Sequence, residues 1–260
     1  MTTAEYWARQ RVIITAGASG IGLSIATALH ALGARIWLSD IDTAALAAAR
    51  DALPGIATMV CDVADEAACG AFVGAATQAM GGLDILVNNA GIAGPAAPVE
   101  AIATEDWVRC FAVNVHGQFY MARAAIPHLK QNAGGSIICM ASVAGKYAFG
   151  LRSPYAASKA AVIALARALS VELGPHQIRV NAIAPGVVAG DRIRRVFTDR
   201  AARRGISYDE MAAIALRAVS MKTMVDPAEI ADLVVYLAGP SGRPITGQVM
   251  QICGGLEYTE

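Results

Sequence analysis

The chain has 260 residues, a length that fits one α/β domain, since domains commonly take roughly 100–200 residues. Apolar residues make up 55% and charged ones 16%, which excludes a disordered chain and provides for a large buried core. Twenty-one basic residues balance 21 acidic ones, so no overall field would draw nucleic acid or an anionic membrane, and neither is expected as a partner.

From Val12 to Ala34 no formal charge appears, which on hydropathy alone suggests a membrane span. Gly17, Gly20, Gly22 and Gly33 argue otherwise, because they break the apolar stretch into a short β-branched run, a tight turn and a helix. Arg9 and Arg11 imitate the start of a signal peptide, but the same glycines fall where its apolar core should be. Farther on, short Val- and Ile-rich runs alternate with longer Ala-rich helical patterns, the signature of βαβ units and a parallel sheet. Strands are predicted at 11–15, 34–39, 56–60, 84–87, 135–140, 178–183 and 248–252. Helices are predicted at 20–32, 43–52, 65–80, 104–131, 154–173 and 226–238, the last opened by an Asp226 cap and Pro227. The stretch 187–225 breaks this rhythm with Arg-rich and Met-rich helical patterns and reads as an insertion over a site. Its Met211, Met221 and Met224 suit a flexible apolar wall.

Three places carry chemistry. Thr15 to Gly22 follows the first strand and opens a helix, where the backbone amides of Gly17, Ser19, Gly20, Ile21 and Gly22 can approach a pyrophosphate closely because side chains are small or absent. Asp40 ends the second strand, where a carboxylate accepts hydrogen bonds from an adenosine ribose diol and repels a 2'-phosphate. The positions where such a phosphate would want a cation, Ala18 and Ile41, are uncharged, so NAD is favoured over NADP. Tyr155 and Lys159 stand at i and i+4 of one helix face, which puts an ammonium beside a phenol. Shifting a phenol from about pH 10 toward neutrality takes roughly 4 kcal/mol, which a fixed cation in a low-dielectric site supplies. Ser142 lies at the carboxyl edge of the fifth strand with a hydroxyl for the same substrate oxygen.

Together with Asn88-Asn89-Ala90-Gly91, Asn114 and Pro185-Gly186, these residues resemble the short-chain dehydrogenase/reductase family from about residue 10 to the C-terminus. The resemblance implies a single doubly wound Rossmann-type domain with a seven-stranded, mostly parallel sheet, helices on both faces and a substrate lid at about 187–225. It implies that Asp62 and Val63 flank the adenine, that Asn89, Ala90 and Gly91 border the neighbouring ribose, and that Tyr155 and Lys159 reach the nicotinamide ribose. Pro185, Gly186 and Val188 would border the nicotinamide, and Asn114 would hold a water linking Lys159 to solvent. Asn114 has a warrant of its own, because an amide buried in a helix must be paired.

The chain departs from the family pattern at three points. Ala16 stands where the turn's first glycine is usual, 187–190 lacks the usual hydroxyl for the carboxamide, and Cys253 replaces an acidic residue before Gly254-Gly255. Cys253 reads as a buried thiol. The function implied is NAD-dependent interconversion of a secondary alcohol and its ketone, with Tyr155 as acid/base and Asn114, Ser142 and Lys159 completing the catalytic set. An NADPH-dependent 3-oxoacyl reductase and a catalytically silent nucleotide-binding protein are the rival readings. Arginines crowd 192–204, and Arg152 and Arg192 are candidates for holding an anionic substrate, against the alternative of a solvated lid face. Five cysteines without a CxxC pair point to reduced thiols in the cytoplasm, and four scattered histidines offer no metal-ligand set. Helices 104–131 and 154–173 each carry two apolar faces, so a homodimer or homotetramer is expected.

Overall fold

Seven strands form from the Val- and Ile-rich runs: β1 (Arg11–Thr15), β2 (Arg35–Asp40), β3 (Ala57–Val60), β4 (Ile85–Asn88), β5 (Gly135–Met140), β6 (Ile178–Pro185) and β7 (Val249–Ile252). The structure is a computed structural model that describes residues 2–132 and 134–256, apart from the side chains of Thr3 and Arg203. The sheet order is β3-β2-β1-β4-β5-β6-β7. All six pairings are parallel, so the sheet is wholly rather than mostly parallel. The winding reverses between β1 and β4, and the crevice outside their carboxyl ends is where open sheets of this kind take ligands.

The strand period of two sorts the apolar residues into two cores. Val12 and Ile14 of β1 pack with α2 (Gly20–Ala31), α3 (Thr43–Ala52) and α10 (Pro227–Ala238) on one face. Ile13 points the other way, toward α4 (Glu66–Met80), α6 (Gly117–Lys130) and α7 (Ser153–Leu173). Each fully buried Ile, Leu or Val of this kind contributes about 1.5–3 kcal/mol.

Two elements differ from the sequence reading. A short helix, α1 (Thr3–Trp7), precedes β1; a capping box between Thr2 and Glu5 opens it, and Trp7, 1% exposed, packs in the core on the α10 face. The helix expected over 104–131 is divided into α5 (Thr104–Phe111), a π turn (Ala112–His116) and α6. Apolar periodicity runs through such a turn and does not reveal it. At its end Gly117 meets the preceding layer, where a Cβ would lie 2.8 Å from a Val63 methyl.

The insertion forms two helices, α8 (Asp191–Arg204) and α9 (Tyr208–Leu216), around a small core of Phe197, Ala201 and Met211. Met224 packs against that core while Met221 is exposed. Its two ends are tied together, since Val225 N donates to Val187 O and Ala189 N to Val225 O, both at 2.8 Å. Among the described residues no helix is long and apolar enough to cross a membrane, and the uncharged stretch from Val12 is β1, a turn and α2.

Candidate active site

The turn between β1 and α2 brings the expected phosphate-binding residues to the crevice. Ser19 begins α2 with no side-chain cap, and Gly20, at φ +50°, faces open space where its Cβ would be. The first-turn amides of Gly20, Ile21 and Gly22 are the donors that a helix leaves unpaired, and they suit a pyrophosphate. Two of the glycines serve packing: a Cβ on Gly17 would lie 2.7 Å from Leu38, and one on Gly22 only 2.2 Å from Ala16 O. Ala16 adopts φ +47°, a left-handed conformation that costs an L-residue about 1–2 kcal/mol. Asn89 supports this strained turn, donating from Nδ2 to Ala16 O at 3.0 Å and Thr15 O at 3.1 Å. Thr15 Oγ1 returns the tie by accepting from the amides of Asn89 and Ala90, each at 3.0 Å.

Asp40 ends β2 at the carboxyl edge of the sheet. Its carboxylate accepts from Ala18 N at 3.4 Å and Asp42 N at 3.2 Å, while Ile41 beside it is 65% exposed. Asp62, after β3, accepts from Ala64 N at 2.9 Å and pairs with Arg109 at 3.1 Å, and Val63 is buried. The chain thus presents carboxylates, open amides and an apolar floor at the carboxyl ends of β1 to β4, a set that fits an adenine dinucleotide.

At the other end of the crevice Lys159 is 3% exposed, and its Nζ donates to Met140 O at 2.8 Å. Nζ lies 5.8 Å from the centre of the Tyr155 ring, so the ammonium and the half-buried phenol are neighbours, as the i, i+4 spacing requires. A Cβ on Gly91 would come within 3.1 Å of that Nζ and 3.2 Å of Asn114 Oδ1, so Gly91, Lys159 and Asn114 meet at one point. Asn114 is fully buried in the π turn: Oδ1 accepts from Ile92 N at 2.7 Å, and Nδ2 donates to Ile92 O and Ser158 Oγ, each at 2.9 Å. The side chain is therefore paired as expected, with protein groups, and it braces α7 against the loop after β4. Ser158 completes the brace by donating to Tyr155 O at 2.8 Å.

Ser142 follows β5 and caps a short 3-10 turn (Val143–Gly145), accepting from Ala144 N at 3.2 Å. That turn is pressed onto α7, where a Cβ on Gly145 would lie 2.6 Å from the Lys159 carbonyl carbon. Gly145 and Ser158 are positioning residues the sequence reading missed, because spacing along the chain does not show which turn leans on which helix.

Burial pulls the Lys159 ammonium from its usual 10.5 down to about 8, with the nearby Arg192 adding to the shift. The unfolded chain therefore binds a proton that the fold releases between about pH 8 and 10.5, so this group adds stability as pH rises through that window. Cofactor-free wild type should gain on Lys159→Met over this range in urea-unfolding free energy. A pH-independent difference between the two proteins would show that Lys159 keeps its ordinary proton affinity.

After β6, Gly186 N donates to Ile252 O at 2.9 Å, and a Cβ there would meet Cys253 at 2.7 Å. Cys253 is thus a buried thiol packed against the residue after Pro185, and all five cysteines are buried and free. Val188 is half-buried and bridges to Val225. Arg152 lies at the start of α7, with Arg192 on α8; the side chain of Arg203 is outside the described ones. Among the described residues no group of three or more His, Cys, Asp and Glu side chains could hold a metal ion.

A family model described as "Enoyl-(Acyl carrier protein) reductase" matches residues 15–257. The chain is 38% identical over 245 residues to galactitol 2-dehydrogenase of Agrobacterium fabrum, covering 94% of this chain and 95% of that one. It is also 38% identical to a protein of Streptomyces violaceoruber named as a provisional ketoacyl reductase 1 of the granaticin polyketide synthase, covering 96% of this chain and 93% of that one. Among solved structures, NAD+-bound xylitol dehydrogenase superposes with a TM-score of 0.89 at 30% identity, covering 95% of this chain and 98% of the other.

Proposed function

Because the chain belongs to the short-chain dehydrogenase/reductase family, we propose that it is an NAD-dependent oxidoreductase interconverting a secondary alcohol and its ketone. The observation that carries this reading is the joint placement of Lys159, Tyr155 and the Ser142 turn at the carboxyl end of β5, facing the crevice with Asp40 at its far side. A nicotinamide cofactor, when bound, accepts or donates the hydride. Tyr155 Oη takes the alcohol proton during oxidation and returns it during reduction. Lys159 lowers the cost of negative charge on that oxygen, and Ser142 Oγ hydrogen-bonds the substrate oxygen and orients it. Asn114 and Ser158 hold α7 in place. Asp40 accepts from the ribose diol, the first-turn amides of α2 meet the pyrophosphate, and the 187–225 segment closes over the substrate as a lid on a single domain.

The names of the relatives support this substrate class, since two of those named above are dehydrogenases of sugar alcohols. The Streptomyces relative favours a second reading, a ketoacyl reductase, for which the same catalytic set would serve. Asp40 weighs against the NADPH-dependent form of that reading. Formation of NADH from NAD across a panel of secondary alcohols, and its consumption with the matching ketones, tests the proposal. Tight NADH binding with no turnover in either direction would instead support a silent nucleotide-binding protein.

A cytoplasmic homodimer or homotetramer completes the proposal. Trp107, Val108 and Phe119 on α5 and α6 and Val171 on α7 are large apolar side chains left exposed, Val171 by 77%. Covering such a face with a second copy stabilises it. Light scattering at micromolar concentration should give a multiple of the chain mass, and a monomer would remove this part.

A further inference from the structure

Arg152 is half-buried at the start of α7, three residues before Tyr155. A guanidinium carries five donors, yet this one makes a single long contact, from Nη1 to Gly94 O at 3.5 Å. Its Nε is buried without a partner, and so is the hydroxyl of the adjacent Ser153. Leaving such donors unpaired is costly, and native structures tend to retain them where a ligand completes the pairing. The ion pairs among the described residues are Arg11–Asp84, Arg109–Asp62 and Arg123–Glu66, so no carboxylate is paired with Arg152.

The lid supplies two more cations. Arg194 is engaged elsewhere, 5.9 Å from the centre of the Tyr208 ring; Arg192, Arg195 and Arg204 are exposed, and of these three Arg192 is among the charges that act on Arg152. Arg200 is half-buried next to Ala201, at the edge of the lid's own core. Burial pulls the Arg152 guanidinium below its usual range; the Arg200 and Arg192 charges add to this and Tyr155 opposes it, so these three groups lie within electrostatic reach of Arg152. Arg192 is also the charge that weighs most on Lys159. Several cations therefore act on Arg152, with no anion among the groups that shift it other than the ionisable Tyr155 and Cys110.

We propose that Arg152 and Arg200, with Arg192 at the lid's entry, form an anion-binding subsite beside Tyr155, so that the substrate is a hydroxy acid or oxo acid. This rests on the alcohol–ketone reading above and names its substrate class. Guanidinium forks match a carboxylate in a bidentate manner, and an anion there would pair the orphaned Nε and draw the lid onto the substrate.

Two measurements test it. The first is kcat/KM for short 2-hydroxy and 3-hydroxy acids against the corresponding amides, which keep the size and remove the charge. Wild type should prefer the acid by tenfold or more, and Arg152→Gln and Arg200→Gln should each reduce the acid-to-amide ratio by about 10- to 100-fold, as loss of a charged hydrogen bond implies. Arg152→Lys should recover part of the ratio. The second is calorimetric binding of propionate to the NADH-loaded protein, which reads the subsite without turnover and which both Gln variants should weaken tenfold or more. Equal turnover of amide and acid by wild type, or propionate binding that is absent or unaffected by the substitutions, overturns the subsite while leaving the alcohol–ketone reading intact. Weakened NADH binding in the Gln variants with an unchanged acid-to-amide ratio also overturns it, because the arginines would then serve the cofactor's phosphates. Propionate binding that depends on the arginines, with no turnover of any alcohol, would keep the subsite and remove the enzymatic reading.

Discussion

Replacing Tyr155 by Phe should lower kcat by about 10²- to 10⁴-fold while NADH still binds, because the change removes only the oxygen that carries the proton. The phenol is half-buried, its ring centre is 5.8 Å from a lysine that has almost no solvent exposure, and its helix is braced by Ser158 and Asn114. The ring stays in the Phe variant, so packing is conserved and the loss can be read as chemistry. Steady-state kinetics and NADH fluorescence titration on the same preparation separate the two. A variant retaining more than about a tenth of wild-type kcat would remove Tyr155 from the proton-transfer role.

Asp40→Asn should move cofactor choice toward NADP, changing the NAD-to-NADP ratio of kcat/KM by about 10²-fold, the size expected from losing a charged hydrogen bond and relieving a like-charge repulsion. Asn is a better substitute here than Ala, because the carboxylate also accepts from Ala18 N and Asp42 N, and an amide oxygen can keep one of these bonds. Exposed Ile41 and the uncharged Ala18 offer no cation to replace the lost discrimination. Kinetics with both cofactors on wild type and variant read the ratio directly. A wild type that prefers NADP, or a ratio unmoved by the substitution, would show that selection lies elsewhere.

Sequence alone determined the sheet and most of its helices, because the evidence for them is local. Val12, Ile13 and Ile14 are apolar on both faces, as a strand covered by helices must be, and the predicted limits of β1, β5 and α3 coincide with those observed. The Gly-rich turn, Asp40 and the Tyr155–Lys159 spacing were legible for the same reason: each lies within a few residues of a strand end or on one helix face. Only the tertiary structure decided the rest. Periodicity crosses the π turn at 112–116 without a break, and the α1 helix is held by Trp7 packing far along the chain. That Gly145 leans on α7 and that Asn114 and Ser158 share a hydrogen bond are contacts between separate segments of the chain. Such contacts depend on how layers pack and on which buried donors find partners, and neither is encoded in the spacing of any single segment.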